Sequence, residues 1–165
     1  MNVIAIDMGY RNFAFIHVHS DDWRNPIAWC HEDLWYGRKG KPSTKQLLHM
    51  AHQWEVRNHL ALQNADCIIL ETQLKKPFAL MNTMIASRHW DRVVYMNPLT
   101  VGAFWKLPVR RAQKKPAGVA RVKQFGIAFP NVKGKEDDLA DAWLMAMKHL
   151  HEKGLIDFSL LKTIK

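Results

Sequence analysis

Four acidic residues stand where an acid is costly to place or is regularly spaced. Asp7 closes the apolar run Val3-Ile4-Ala5-Ile6, and Glu71 closes a second run, Cys67-Ile68-Ile69-Leu70. Asp138 and Asp141 lie three residues apart in Glu136-Asp137-Asp138-Leu139-Ala140-Asp141, a spacing that puts both on one helical face. A charge at the end of a buried strand must be paired or must hold a cation. Four converging oxygen-bearing groups are what Mg²⁺ or Mn²⁺ requires. Two such ions, roughly 4 Å apart, clamp an in-line phosphodiester displacement. One activates a water and the other stabilises the leaving 3′ oxygen. Asp7, Glu71, Asp138 and Asp141 are therefore candidate metal ligands and catalytic acids.

Each acid also has a plainer reading. Glu136, Asp137 and Asp138 fall in the first turn of a helix, where acids offset the macrodipole. Glu71 could pair with Lys75 or Lys76, and Asp7 could cap the turn at Gly9 through an Asx interaction. Asp141 resists such an account, because it lies past the first turn among Leu139, Ala140, Ala142, Trp143 and Leu144.

The elements that must position these acids are legible in outline. Residues 2–8 and 12–19 read as strands joined by a link short enough for a hairpin. The second puts Phe13, Phe15, His17 and His19 on one face and Ala14, Ile16 and Val18 on the other. A third strand covers residues 27–34. Ser43 with Gln46 forms a capping box for a helix running to residue 64, with Leu47, Met50, Ala51, Trp54 and Ala61 on one stripe. Its histidines, His49, His52 and His59, read as solvated or locally bonded rather than as ligands. The strand ending at Glu71 follows, then a helix over residues 77–90 and a short strand over 92–96 closed by Asn97-Pro98. Pro116 is expected to open a short helix to residue 125. A long helix runs from residue 136 to 153, ended by Gly154. Residues 155–165 form a basic tail with a few apolar anchors. This order predicts one α/β domain over residues 1–165, a mixed sheet flanked by helices. If the strands ending in Asp7 and Glu71 are parallel neighbours, both acids leave the same sheet end.

The chain has 165 residues with a net charge of +9 and a pI near 9.7, a balance that suits a polyanionic partner. Between residues 92 and 135 there are ten basic residues and no acidic one. Lys106, Arg110, Arg111, Lys114, Lys115, Arg121 and Lys123 form the candidate DNA surface, with Phe104 and Trp105 beside it. Such residues give affinity through phosphates without reading sequence. Arg38, Lys39 and Lys41 form a smaller basic loop. Two cysteines, Cys30 and Cys67, are too few for a disulfide framework or a cysteine-rich zinc site. No signal peptide is expected, and no apolar run reaches the roughly 20 residues that span a bilayer. A soluble, intracellular protein is the expectation.

The ordered set Ile-Asp7-x-Gly9, Leu-Glu71-x-Gln and Asp138-x-x-Asp141-Ala resembles the RuvC-type Holliday junction resolvases. The forms Ile-Asp7-x-Gly9-x-Arg11-Asn12 and Lys135-x-Asp137-Asp138-x-Ala140-Asp141 look closest to the viral, poxvirus-like branch. The resemblance spans about residues 2–150. It implies a ribonuclease H-like fold with a five-stranded mixed sheet, and a homodimer with two active sites. It also implies paired nicking of four-way junctions with two Mg²⁺ or Mn²⁺ per site. For a viral chain, the location would be the host-cell cytoplasm or the virion. By matching position, Asp7, Glu71, Asp138 and Asp141 would be the metal-binding acids, with Asp137 the neighbour most easily confused with Asp138. Of the lysines, Lys115 matches a catalytic family position best, Lys114 comes next, and Lys106 and Lys123 remain open. Where bacterial relatives often carry an aromatic residue that contacts junction bases, this chain has Leu74, which can wedge between bases but stack only weakly. The family's dimer helix would be the segment with Phe78, Leu80, Met81, Met84 and Ile85, unless these residues serve the subunit's own core. Two other functions are carried alongside: a ribonuclease H-like nuclease acting on RNA–DNA hybrids or flaps, and a non-catalytic module that binds branched DNA.

Overall fold

The computed structural model describes residues 1–130, 132 and 134–158. Its sheet has five strands: β1 Asn2–Asp7, β2 Phe13–His19, β3 Ala28–Glu32, β4 Cys67–Glu71 and β5 Val93–Met96. They are ordered β3-β2-β1-β4-β5. β1 pairs antiparallel with β2, and β2 with β3, whereas β1–β4 and β4–β5 are parallel. The expected mixed sheet is therefore present, with β1 at its centre. Parallel pairing of β1 with β4 follows from the intervening helices, which return the chain to the starting end of the sheet.

Among the described residues six α-helices flank the sheet: α1 Thr44–Arg57, α2 His59–Asn64, α3 Lys76–Arg88, α4 Pro98–Phe104, α5 Arg111–Gln124 and α6 Glu136–Glu152. Alternation along the strands divides the core in two. Val3, Ala5, Ile16, Val18, Cys67 and Ile69 pack beneath α6 with Trp143 and Leu144. Ile4, Ile6, Phe13, Phe15, Ile68 and Leu70 pack beneath α1 and α3 with Trp54, Met81 and Ile85. Met81 and Ile85 are thus interior residues of the subunit, as are Phe104 and Trp105. Trp105 is buried and donates its indole N–H to the Leu144 carbonyl at 3.0 Å, and Phe104 packs against the same core. This aromatic pair belongs to the core rather than to a nucleic-acid surface.

Three boundaries differ from the sequence expectation. The capping box at Ser43 is present, but the helix is interrupted at Asn58, whose side chain donates to the Trp54 carbonyl at 2.9 Å. Asn97-Pro98 starts a helix as well as ending a strand: Asn97 Oδ1 accepts from Leu99 N at 2.8 Å, with proline in the first turn. α5 begins before Pro116, because Arg110 O already accepts from the Gln113 and Lys114 amides, so the proline removes only one bond inside a formed helix. Of the basic tail, Ile156 is buried and Phe158 packs on the Trp105–Trp143 cluster, while residues 159–165 lie outside the described residues.

The β1–β2 link depends on Gly9. A Cβ there would stand 2.8 Å from the Asn12 carbonyl oxygen, a backbone atom that cannot move aside without reshaping the turn. Gly9→Ala is expected to cost about 1–3 kcal/mol. Urea unfolding should show a lower midpoint with an unchanged slope.

Candidate active site

The register aligns the acids. Ile6 pairs with Leu70 in the parallel β1–β4 ladder, so the next residue of each strand, Asp7 and Glu71, leaves the sheet at the same end. Asp7 also pairs with Ala14, and Ala14 with His31. Directly paired residues share a face, and this is the face covered by α6. α6 starts above that sheet end, so its first turn carries Asp138 and the next turn carries Asp141.

Electrostatics bind these four into one cluster. Burial pushes the Asp7 carboxyl well above its ordinary range, and the charges of Glu71, Asp141 and Asp138 push it further. Asp7 and Glu71 stand within hydrogen-bonding reach of each other, so each acts on the other's proton affinity. Burial also raises Glu71, moderated by its bond with Asp7, by Lys114 and by Gln73, whose amide donates to Glu71 Oε2 at 2.5 Å. Asp141 is raised to about 6, first by burial, with Lys114 and Lys115 opposing and Glu71 and Asp138 adding.

The plainer readings of the acids give way to this arrangement. Glu71 hydrogen-bonds with Asp7 and Gln73; among the described residues it forms no ion pair with Lys75 or Lys76. Glu136 is taken by Lys123 at 2.7 Å, and Asp137 by Lys115. Asp138 is only 5 % exposed, which does not suit an acid placed for the helix dipole alone. Its Oδ1 accepts from Lys115 Nζ at 3.2 Å, and its Oδ2 stands 3.4 Å from His31 Nε2.

Lys115 is the lysine closest to the acids by direct contact. Burial lowers its pKa, but its bond to Asp137 and the charges of Asp138 and Asp137 outweigh that and raise it. Lys114 donates to the Pro98 carbonyl at 3.2 Å while its charge acts on Glu71 and Asp141. Arg111 acts on Glu71 from the start of the same helix. Arg110 precedes it, exposed, as the N-cap residue. Among the described residues no ion pair or hydrogen bond ties Lys106 or Arg121 to the acids, and Lys123 is engaged with Glu136. Leu74 is 97 % exposed on the loop after β4. His59 is locally bonded, to the Val56 carbonyl, whereas His52 meets Arg88 of α3. His31 escaped the sequence reading: its strand is short, and only the two-step register through Ala14 brings it to Asp138.

The donor set, four carboxylates, fits hard divalent cations. Among the described residues no group of three or more His, Cys, Asp or Glu side chains is drawn to the spacing of a formed metal site. Instead, the ammonium groups of Lys114 and Lys115 oppose the clustered negative charge.

A mixed five-stranded sheet of this order, flanked by helices, is the ribonuclease H-like fold of the RuvC-like resolvases. The chain belongs to the Poxvirus A22 protein family, a Holliday junction resolvase family, which it matches over residues 1–153. Enzymes of this family are structure-selective endonucleases and are metal-dependent in general. The fold is similar to that of the fowlpox virus resolvase solved with its substrate Holliday junction DNA, with a TM-score of 0.66 and 18 % identity, over 93 % of this chain and 99 % of that one. The yeast mitochondrial Holliday junction resolvase matches with a TM-score of 0.61 and 17 % identity, over 93 % and 86 % of the two chains. Thermus thermophilus RuvC matches with a TM-score of 0.59 and 13 % identity, over 94 % and 98 %. No curated protein sequence matches the chain. Among the described residues no helix is long and apolar enough to cross a membrane.

A carboxyl with a raised native pKa binds more protons folded than unfolded, so stability falls as pH rises from its unfolded value near 4 toward its native one. For Asp141 that window runs from about 4 to about 6. In metal-free buffer, Asp141→Asn should raise the stability at pH 7 by about 1–3 kcal/mol and flatten the decline between pH 4 and 6. Thermal melts in EDTA across that range check this.

Proposed function

We propose that the four acids are the metal-binding centre of a resolvase that nicks four-way DNA junctions. The observation that carries this reading is the gathering of the buried acids Asp7, Glu71 and Asp141 at the covered end of the sheet, where burial raises the pKa of each, in a chain of net charge +9. Such a cluster weakens the metal-free fold and gains when cations replace its protons. Two Mg²⁺ or Mn²⁺ would supply the activated water and the charge that stabilises the leaving oxygen.

The chain's own groups then have distinct tasks. Asp7 and Glu71 present oxygens from the sheet, and Asp138 and Asp141 present them from the helix. Lys115 leaves Asp137 and Asp138 to hold the scissile phosphate and offset its developing charge. Arg110, Arg111 and Lys114 extend this positive edge along α5. Lys106, Arg121 and Lys123 carry the backbone of a DNA arm further out. Leu74, solvent-exposed three residues after Glu71, is placed to wedge at unpaired bases of the junction. A homodimer would set two such sites on one junction, so that paired strands are cut to leave 5′-phosphate and 3′-hydroxyl ends. Met81 and Ile85 are committed to the subunit interior, so α3 would join such an interface through other residues.

The test is cleavage of a synthetic four-way junction with Mg²⁺ or Mn²⁺, comparing wild type with Glu71→Gln and Asp138→Asn. Paired symmetric nicks, lost in either variant while junction binding is kept, support the reading. Equal activity in the variants would sink it. Preference for an RNA–DNA hybrid would favour the ribonuclease alternative, and tight junction binding without wild-type cleavage would favour a binding module. Lys115→Ala should lower the single-turnover rate by about 10²–10³-fold, with junction affinity changed far less.

A further inference from the structure

His31 Nε2 and Asp138 Oδ2 are buried, stand 3.4 Å apart, and have no hydrogen-bond partner among the described residues. Leaving either group unsatisfied is costly in a covered site. A carboxylate only accepts, so the imidazole nitrogen that faces it is placed as an N–H donor. The side chains are 11 % and 8 % exposed, which leaves little room for either to turn away to solvent.

The surroundings hold His31 in that place. Its register through Ala14 to Asp7 sets it on the covered face of the sheet. The next residue of β3, Glu32, is pinned from outside: it accepts from Cys30 Sγ at 2.9 Å and from Arg57 at 2.7 Å. Arg57 of α1 therefore ties the edge strand down at the residue after His31, while the Cys30 bond lies within the strand. Asp138 meanwhile is addressed from two elements, with Oδ1 toward Lys115 of α5 and Oδ2 toward His31 of β3. With a hydrogen bond at Oδ1 and an imidazole nitrogen 3.4 Å from Oδ2, the carboxylate plane is restrained from both sides, and groups that orient ligands in this way tune the site behind them.

We propose that His31 is a positioning residue that aims the Asp138 carboxylate into the four-acid centre, an inference that rests on Asp138 being a ligand there. The neutral imidazole suffices for this task, because its Nε2–H is the working group. His31→Phe keeps the ring and removes the donor, whereas His31→Gln keeps an N–H donor at similar reach.

The test titrates Mn²⁺ into the full-length protein without DNA, by calorimetry, for wild type, His31→Phe, His31→Gln and Asp138→Asn. The expected result is Mn²⁺ affinity weakened about 10–100-fold by His31→Phe and left near wild type by His31→Gln. With the junction, His31→Phe should lower kcat with little change in KM. If Asp138→Asn weakens Mn²⁺ binding and His31→Phe does not, the positioning role is overturned while the metal centre stands. Equal weakening by Gln and Phe also overturns it, because a retained donor would then not rescue. If Asp138→Asn binds Mn²⁺ like wild type, the ligand reading of Asp138 fails, and this inference with it. Should the phenylalanine variant not fold, His31→Leu makes the same comparison with glutamine.

Discussion

The site is built on carboxylates buried together at one sheet end, which the fold does not let separate. β1 and β4 are locked by a parallel ladder whose last pair is Ile6 with Leu70. The next residue of each strand must emerge beside the other, and both are acids. α6 closes over them because its apolar side, with Trp143 and Leu144 fully buried, fills the space above β1 and β2. Moving the acids apart would mean breaking that core. Burial and like charge then act together on Asp7, and the only relief available within the chain is a proton or a neighbouring cation. Lys115 and Lys114 supply part of it from α5.

This explains why the basic helix lies where it does. α5 packs against α6, and its first turns bring Arg111, Lys114 and Lys115 to the acids rather than leaving them as a solvated face. Under the proposed function, the same residues that oppose the cluster's charge would also meet a phosphate. A metal-free fold weakened by its own site is the ordinary trade between stability and function. Apolar packing above and below the sheet tolerates that cost because it does not involve the acids.

Much of this was legible in the chain because it depended on local pattern. Asp7 and Glu71 were visible as acids ending apolar runs, and their juxtaposition followed from one assumption about parallel pairing. Asp141 was visible because it broke an apolar helical stretch. Asp138 could be told from Asp137 only in space: both meet Lys115, but Asp138 is buried and also faces His31. His31 could not be found, because its role depends on two successive antiparallel registers that no spacing in the sequence encodes. Phe104 and Trp105 misled for a related reason, since adjacency to basic residues in sequence does not put a side chain on their surface. The helix starting at Pro98 was missed because Asn97-Pro98 is a strong signal both for stopping a strand and for starting a helix.

The central claim is that Asp7, Glu71, Asp138 and Asp141 bind divalent cations as a unit. Anomalous scattering from crystals grown with Mn²⁺ tests it most directly. The account predicts manganese peaks between the end of β1, the end of β4 and the first turns of α6, with oxygens of all four acids within about 2.0–2.6 Å of an ion. Crystals with no manganese at that end of the sheet, or with ions held only by other residues, would contradict it.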